Sequence, residues 1–369
     1  MQGDLLTVVQ LLPALNAGGV ERSTLEIGRA LFAAGHRSIA ISAGGRLQKT
    51  LEDEGTEHIT VDIGRKSFGT LRHVWTLRRL FAQIKPDIVH ARSRLPAWIG
   101  RLAFAGLRPR PHFVTTVHGL NSPGFYSSIL RRGERVICVS NTVRDYVLRH
   151  YPRTDPSHLT VIPRGVDPEE FPFGYQPDDA WRRGFFMDFP ALEGGALLTL
   201  PGRGTRLKGH ADAIELLAGL VARGQDCKLL LLGARMPGRE PYVAELEELA
   251  RQRGVADRVV ISVPRNDVRE IFAISSLVLQ LSVQPEAFGR TVIEALALCR
   301  PVLGYAHGGV GELLAELYPE GRVPVGDKTR LVERAAELLR VAPPIPLLTR
   351  FRLSDMQADT LAVYENLAG

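Results

Sequence analysis

Two glutamates in one short stretch carry the most chemistry in this sequence. Glu286 lies in a loop after the apolar run 277–281, and Glu294 falls within the first turns of the helix that follows. Gly289 lets the chain turn tightly between them. Carboxylates pair well with sugar hydroxyls, and free backbone N–H groups at such a strand end suit phosphate oxygens. A capping acid followed by a surface glutamate would show the same spacing, so the neighbouring segments decide.

Gly202-Arg203-Gly204-Thr205-Arg206-Leu207-Lys208-Gly209 offers two cations, Arg203 and Lys208, in a glycine loop ahead of another helix. The loop is not a P-loop, because glycine follows the lysine where serine or threonine is required. His307-Gly308-Gly309 with Glu312 is a further glycine loop after the next strand pattern. Three such loops in one half of the chain describe a nucleotide-diphosphate pocket. In the other half, Gly18-Gly19 follows the first strand pattern, and His118 ends another beside Gly119. Glycines there admit a phosphate or sugar to the backbone, although a plain tight turn fits equally well. The chain has no Asp-x-Asp and no cluster of His, Cys and carboxylates at metal spacing. Arg203, Lys208 and helix dipoles are therefore expected to neutralise a departing diphosphate, with no metal and no cofactor.

The elements that must position these residues alternate between strand and helix, which predicts parallel sheets covered by helices, an α/β chain of two Rossmann-like domains. In the first half, strand patterns fall at 5–12, 38–43, 86–91, 113–117, 135–140 and 159–163, with helical spacing at 21–34 and 71–84 and a helix running through 146. In the second, strands fall at 196–200, 228–232, 259–263, 277–281 and 301–305, with helices at 210–223, 242–253, 267–275, 290–298, 328–340 and 354–367. Prolines and glycines between them predict an irregular linker at about 173–189, separating a domain of residues 1–172 from one of 190–349. Ligands of such sheets bind outside the carboxyl ends of the strands, so the two domains are expected to face each other across a cleft.

A chain of 369 residues, 45% hydrophobic and 23% charged, suits two globular domains. Cys138, Cys227 and Cys299 form no CxxC pair and read as reduced, buried thiols. Asp4 stands where a leader peptide would be cationic, and no run of about 18 apolar residues occurs. A cytoplasmic location is expected. Charge is uneven: residues 1–170 hold 23 Lys and Arg against 15 Asp and Glu, and the remainder 23 against 25. The basic half should meet something anionic, either a phosphorylated acceptor or an inner-leaflet surface. Its candidates are Trp75, Arg78 and Arg79 in one segment and Phe125, Tyr126, Arg131 and Arg132 in another. An amphipathic helix with an ordinary solvated face has the same pattern. A nucleic-acid partner is not expected, since no recognition motif is present.

Taken together, Gly18-Gly19-Val20-Glu21, Val117-His118-Gly119, Val139-Ser140, Ile162-Pro163-Arg164-Gly165-Val166-Asp167, Gly202-Arg203 with Lys208-Gly209, Glu286-Ala287-Phe288-Gly289 with Glu294-Ala295, and Gly308-Gly309 with Glu312 resemble the family-4 retaining glycosyltransferases. The resemblance implies the GT-B fold and a last helix, about 350–369, returning to the first domain. It also implies roles. Arg203, Lys208, Gly19 and the 288–291 amides would hold the donor diphosphate, Glu286 the transferred sugar, and Glu294 the ribose, with His118 near the anomeric carbon. Two positions depart from the family pattern. Arg164 stands where Asn is common, and Pro264-Arg265 where a strand often ends in Gly before the base, which makes Arg265 a candidate base contact. The loop residues look most like envelope versions, such as lipopolysaccharide-core transferases. The implied partners are a nucleotide-sugar donor and a glycan or lipid-linked acceptor. An epimerase of the same fold and a non-catalytic nucleotide-sugar-binding subunit are the other readings.

Overall fold

The computed structural model of the chain describes residues 5–16 and 18–369; Met1–Asp4, where the leader was judged, and Ala17 lie outside them. In order, the elements run β1 (Thr7–Leu11), α1 (Gly19–Ala33), β2 (Arg37–Ser42), α2 (Gln48–Asp53), β3 (Glu57–Thr60), α3 (His73–Ile84), β4 (Ile88–Ala91), α4 (Arg94–Phe104), β5 (His112–Val117), β6 (Arg135–Cys138), α5 (Asn141–His150) and β7 (Leu159–Val161). They continue with α6 (Asp179–Asp188), β8 (Ala196–Pro201), α7 (His210–Val221), β9 (Cys227–Leu232), α8 (Glu240–Gln252), β10 (Val259–Ile261), α9 (Val268–Ile274), β11 (Leu277–Gln280), α10 (Arg290–Ala297), β12 (Val302–Tyr305), α11 (Gly308–Leu317), β13 (Arg322–Val323), α12 (Lys328–Arg340) and α13 (Leu353–Ala368).

The chain divides into two units, one of residues up to Arg164 with Leu353–Gly369, the other of Gly165–Arg352. In the first, seven strands pair in the order β3-β2-β1-β4-β5-β6-β7, all parallel. The order reverses direction at β1 and β4, so the loops after those two strands part and leave a crevice. The central strands are almost wholly buried, β1 and β4 included, because helices cover both faces. Gly100 in α4 is bare for packing: a Cβ there would lie 2.4 Å from Leu11 Cδ1. α13 closes this unit. Its Leu353, Met356, Val363 and Tyr364 bury against Leu6, Val8, Ile27, Leu31 and Ile88. The Tyr364 hydroxyl, whose pKa burial pushes up to about 12, lies 2.6 Å from His90 Nδ1.

The second unit has a six-stranded parallel sheet, β10-β9-β8-β11-β12-β13, whose order reverses between β8 and β11. The linker expected at 173–189 is here a part of this unit, and its residues Asp179–Asp188 form α6. Asp178 caps α6 by accepting from the Trp181 N–H at 2.8 Å. Trp181, Phe185 and Phe189 then form one apolar stripe, with successive ring centroids 5.1 Å apart. The prolines that suggested a loop flank the helix, and Gly184 within it faces open space. The break between units thus falls at Arg164 and Gly165 rather than after residue 172. Sequence periodicity also missed β3, α2, α4 and α11, which are short or carry Pro and Gly in the pattern. Cys138 and Cys227 are buried, and burial raises their thiols to about 12 and about 11; Cys299 is half-buried and unbridged. No helix among the described residues is long and apolar enough to cross a membrane.

Tyr364→Phe removes the hydroxyl from a buried pair and leaves His90 Nδ1 without a partner. The expected loss is about 1–3 kcal/mol. Hydrogen exchange in urea should show weaker protection in β1 and β4, with β8 and β11 unchanged; equal protection in mutant and parent would contradict this packing.

Candidate active site

In the second unit, the loops after β8, β11 and β12 leave the carboxyl edge of three adjacent strands. After β8 the chain makes one 3-10 turn, Arg206–Lys208, and enters α7 through Gly209 at φ +73°. A Cβ on Gly209 would stand 2.0 Å from the Leu281 carbonyl oxygen, so only glycine passes. This close approach carries Lys208 to the β11 loop, where its Nζ lies 2.6 Å from Glu286 Oε1. The Ser282 hydroxyl donates to the same carboxylate oxygen. Both charged side chains keep about a quarter of their surface in solvent, 26% for Lys208 and 22% for Glu286. Such a pair adds about 0–1 kcal/mol to stability, and both groups remain within reach of a ligand.

The β11 loop turns into α10 at Gly289, φ +104°. The first amides of α10 have no acceptor within the helix and point a partial positive charge outward. Gln280 Nε2 donates to Thr291 Oγ1 at 2.9 Å. Glu294 is buried and pairs with Arg290 Nε at 3.2 Å, while Arg290 Nη2 donates to the Gly165 carbonyl at 3.3 Å. Phe288 is buried, its ring 6.2 Å from that of Phe351.

Gly308 and Gly309 have a different task from the one their motif suggests. A Cβ on Gly308 would lie 2.6 Å from the Glu286 oxygen, and one on Gly309 2.5 Å from Phe288 Cα. The Gly309 amide donates to the Glu286 carbonyl at 2.8 Å, and His307 Nε2 lies 2.7 Å from the Ser282 carbonyl. The space beside these glycines is filled by the Glu286–Phe288 backbone, and α11 holds that loop in place.

The other cations differ in availability. Arg203 is exposed, and its guanidinium has no partner among the described residues. Arg206 is exposed and paired with Glu245 at 2.7 Å. Arg265 donates to both oxygens of Asp267 at 2.8 and 2.7 Å and sits 5.3 Å from the Phe189 ring centre, on the loop after the edge strand β10. Its guanidinium fastens α6 to that loop, which argues against the base contact expected for it. Ser282 and Gln280 went unmarked in the sequence, and His307 was marked only for the glycines beside it, because their contributions are hydrogen bonds to groups that only the fold brings near.

In the first unit, Gly18 adopts φ +146° and Gly19 opens α1, with nothing within 4 Å of where its Cβ would be. His118 follows β5. Arg164 Nη2 donates to its Nδ1, while its Nε2 is shut off from solvent with no partner. Arg164 Nη1 and Arg92 Nη1 both donate to Ser23 Oγ, at 2.7 and 3.2 Å, and Arg92 Nε donates to Gln10 Oε1 at 2.8 Å. Burial first, then the charges of Arg164 and Arg92, hold the His118 ring well below the ordinary histidine range. Arg92, one residue past β4, gave no sequence signal, since a cation after a strand reads as a surface residue.

The basic, aromatic surface lies on this unit. Phe68, Leu71 and Trp75 are exposed, Phe68 by 95%, beside exposed Arg65, Lys66, Arg72 and Arg79. Phe125 is exposed and stacks on Trp98 at 5.0 Å, with Arg132 5.6 Å from the Trp98 ring centre and Arg94 5.0 Å from that of Tyr126. Two expected members are otherwise engaged. Arg78 donates to the carbonyls of Leu102, Ala103 and Ala105 and so caps α4. Arg131 is half-buried against Tyr151, its ring centre 5.7 Å away.

Residues 17–170 match the family model described as Glycosyltransferase Family 4, and residues 186–347 the one described as Glycosyl transferases group 1. The chain belongs to the family-4 glycosyltransferases. This glycosyltransferase is 24% identical to the N-acetyl-alpha-D-glucosaminyl L-malate synthase of Bacillus anthracis, over 89% of this chain and 86% of that protein. Curated relatives at 30–33% identity match over 42–52% of this chain, which spans only 37–46% of their length. Among solved structures, a glycosyltransferase from Rickettsia africae aligns at TM-score 0.84 and 26% identity over 99% of both chains. Anabaena HepE in complex with UDP and glucose aligns at TM-score 0.80 and 19% identity over 97% of this chain and 99% of that one. The fold is GT-B, two Rossmann-like domains.

Gly209→Ala should disrupt the site through the backbone. The added Cβ meets a carbonyl oxygen that cannot move without β11, so the Lys208–Glu286 contact opens. The unfolding transition of the second unit is expected to fall by at least 1 kcal/mol, the usual penalty for a side chain where φ is positive. An unchanged melting curve would refute the close approach.

Proposed function

We propose that this glycosyltransferase moves a sugar from a nucleoside diphosphate sugar to a glycan or lipid-linked acceptor, with retention of anomeric configuration and without a metal. The observation that carries the reading is the Lys208–Glu286 contact at the point where the sheet order reverses: a cation for the departing diphosphate lies 2.6 Å from a carboxylate for sugar hydroxyls. Lys208 and Arg203, with the amides from Phe288 to Thr291, take the diphosphate, and in the first unit Gly19 at the start of α1 suits a phosphate oxygen. Glu286 accepts from hydroxyls of the transferred sugar, Glu294 from the ribose, and His118 serves near the anomeric carbon. Arg265, tied to Asp267, has no part in this reading. Metal independence is supported by charge supply: Lys208, Arg203 and the α10 N-terminus provide the positive field. Glu286 is held by both Lys208 and Ser282, which suits binding better than attack on carbon, so retention here takes the front-face route without a covalent intermediate. Front-face departure, with the leaving phosphate taking the acceptor proton, balances the reaction: the acceptor oxygen bonds the anomeric carbon as the carbon–phosphate oxygen bond breaks.

The acceptor side is the ridge of Phe68, Leu71, Trp75, Arg72 and Arg79 with Phe125 and Arg132. Aromatic rings at headgroup depth and Lys or Arg beside them suit an anionic inner leaflet bearing a lipid-linked, lipopolysaccharide-type acceptor, with the enzyme peripheral on its cytoplasmic face.

Lys208→Ala and Glu286→Ala should each lower turnover about 10²–10³-fold, the usual effect of removing one group that stabilises developing charge, with circular dichroism and melting unchanged. Thermal-shift screening identifies the sugar nucleotide for the assay. Excess chelator should leave the rate unaltered, and product NMR should show the donor's anomeric configuration. Full turnover in either mutant, or turnover of donor without acceptor, contradicts the assignment.

Binding to anionic vesicles at low salt should weaken on Trp75→Ala. It should fall roughly fivefold for each of Arg72 and Arg79 replaced by Ala, at about 1 kcal/mol per cation, and with added salt. Equal sedimentation with neutral vesicles would refute the docking face.

A further inference from the structure

His90 and His118 sit in one buried group at the strand ends of the first unit, yet only one is satisfied. His90 Nδ1 meets Tyr364 Oη at 2.6 Å and Nε2 meets Thr116 Oγ1 at 2.7 Å. His118 has Arg164 at Nδ1 and nothing at Nε2, which is closed to solvent. A guanidinium carries only N–H groups, so it can only donate. His118 Nδ1 must then present its lone pair to Arg164, and the single proton of the neutral ring must lie on Nε2. A doubly protonated ring would set N–H against N–H at Nδ1.

Arg164 is well placed to enforce this. It is 8% exposed, with Nη1 donating to Ser23 on α1 and lying 3.7 Å from Met356 Sδ on α13. The groups that face His118 are Arg164 after β7, Arg92 and His90 from β4, and, one step further, Glu26 on α1 beside Arg92. The nearest of these are cations and a neutral ring, and among the described residues no carboxylate contacts His118.

We propose that Arg164 is a positioning residue that locks His118 as the neutral Nε2–H tautomer, a ring that can donate from Nε2 and cannot act as a base there. That an oxygen of the sugar substrate receives this hydrogen bond rests on the transferase reading, and Nε2, closed off in the unliganded chain, must be uncovered for it; the tautomer is a property of the unliganded chain.

The test is nitrogen-15 NMR of the histidine rings in the full-length protein without ligand. His118 should show an unprotonated Nδ1 and a protonated Nε2, unchanged as pH falls through the ordinary histidine range. In Arg164→Ala the Nδ1–H form should appear and the ring should titrate at higher pH. Arg164→Lys, which keeps a cationic donor, should restore the wild-type pattern. Turnover in Arg164→Ala should drop roughly tenfold or more, the loss of one charge-assisted hydrogen bond, in kcat rather than KM and with a new acid limb in its pH profile. A protonated Nδ1 in the wild type, or an unaltered tautomer in Arg164→Ala, overturns the proposal. If Arg164→Ala does not fold, the wild-type spectrum and Arg164→Lys still decide it. Full activity of His118→Ala alongside the expected tautomer would reject the transfer role of His118 and leave the lock standing.

Discussion

The donor half depends on how closely two stretches of backbone can approach. β8 and β11 are neighbours in the sheet whose connections leave in opposite senses, and a ligand can reach both strand ends only there. For Lys208 to meet Glu286, the turn after β8 must press against the Leu281 carbonyl, and Gly209 permits it because it has neither a Cβ nor a bar to positive φ. Gly308 and Gly309 repeat the device between the β11 and β12 loops. Glycine therefore sets the spacing of loops, and loop spacing sets where the charges fall.

The two units use their strand ends differently. In the second, opposite charges meet in partial exposure, so their mutual attraction is weak enough to be exchanged for a ligand's. In the first, Arg92 and Arg164 are buried among groups of the fold itself: they donate to Gln10, Ser23 and the His118 ring, and Glu26 lies near Arg92. A low-dielectric surrounding strengthens such contacts, so these cations orient their neighbours rather than await a ligand.

Much of this was readable from the sequence. Alternating strand and helix periods gave two parallel α/β units, and they put Glu286, Arg203 and Lys208 on strand-end loops and Glu294 in the helix that follows, where the structure also has them, because strand-end loops are local and their glycines are visible. What stayed hidden depends on tertiary contacts. α6 looked like a linker because its stabilisation comes from Trp181, Phe185 and Phe189 packing on a distant loop, with Arg265 and Asp267 completing the dock. Arg78 looked like surface charge, yet its donors go to carbonyls 24 to 27 residues away. Gly308-Gly309 looked like a phosphate loop, since a glycine cleared for a ligand and one cleared for backbone are identical as letters.

Arg164 shows the same limit most clearly, because its departure from asparagine was visible and its consequence was not. An asparagine amide has two N–H donors on one nitrogen and also an acceptor oxygen, so it could hold either tautomer of a neighbouring ring. A guanidinium spreads its donors over a rigid planar fork and accepts nothing. Here one arm reaches Ser23 on α1 and the other His118 after β5, so a single side chain ties two elements and removes one of the two protonation choices of the imidazole. Ser23 is constrained in turn: its oxygen accepts from both Arg164 and Arg92, which occupies both lone pairs and directs its own proton elsewhere. The direction of each hydrogen bond in this group therefore follows from the presence of two residues that can only donate.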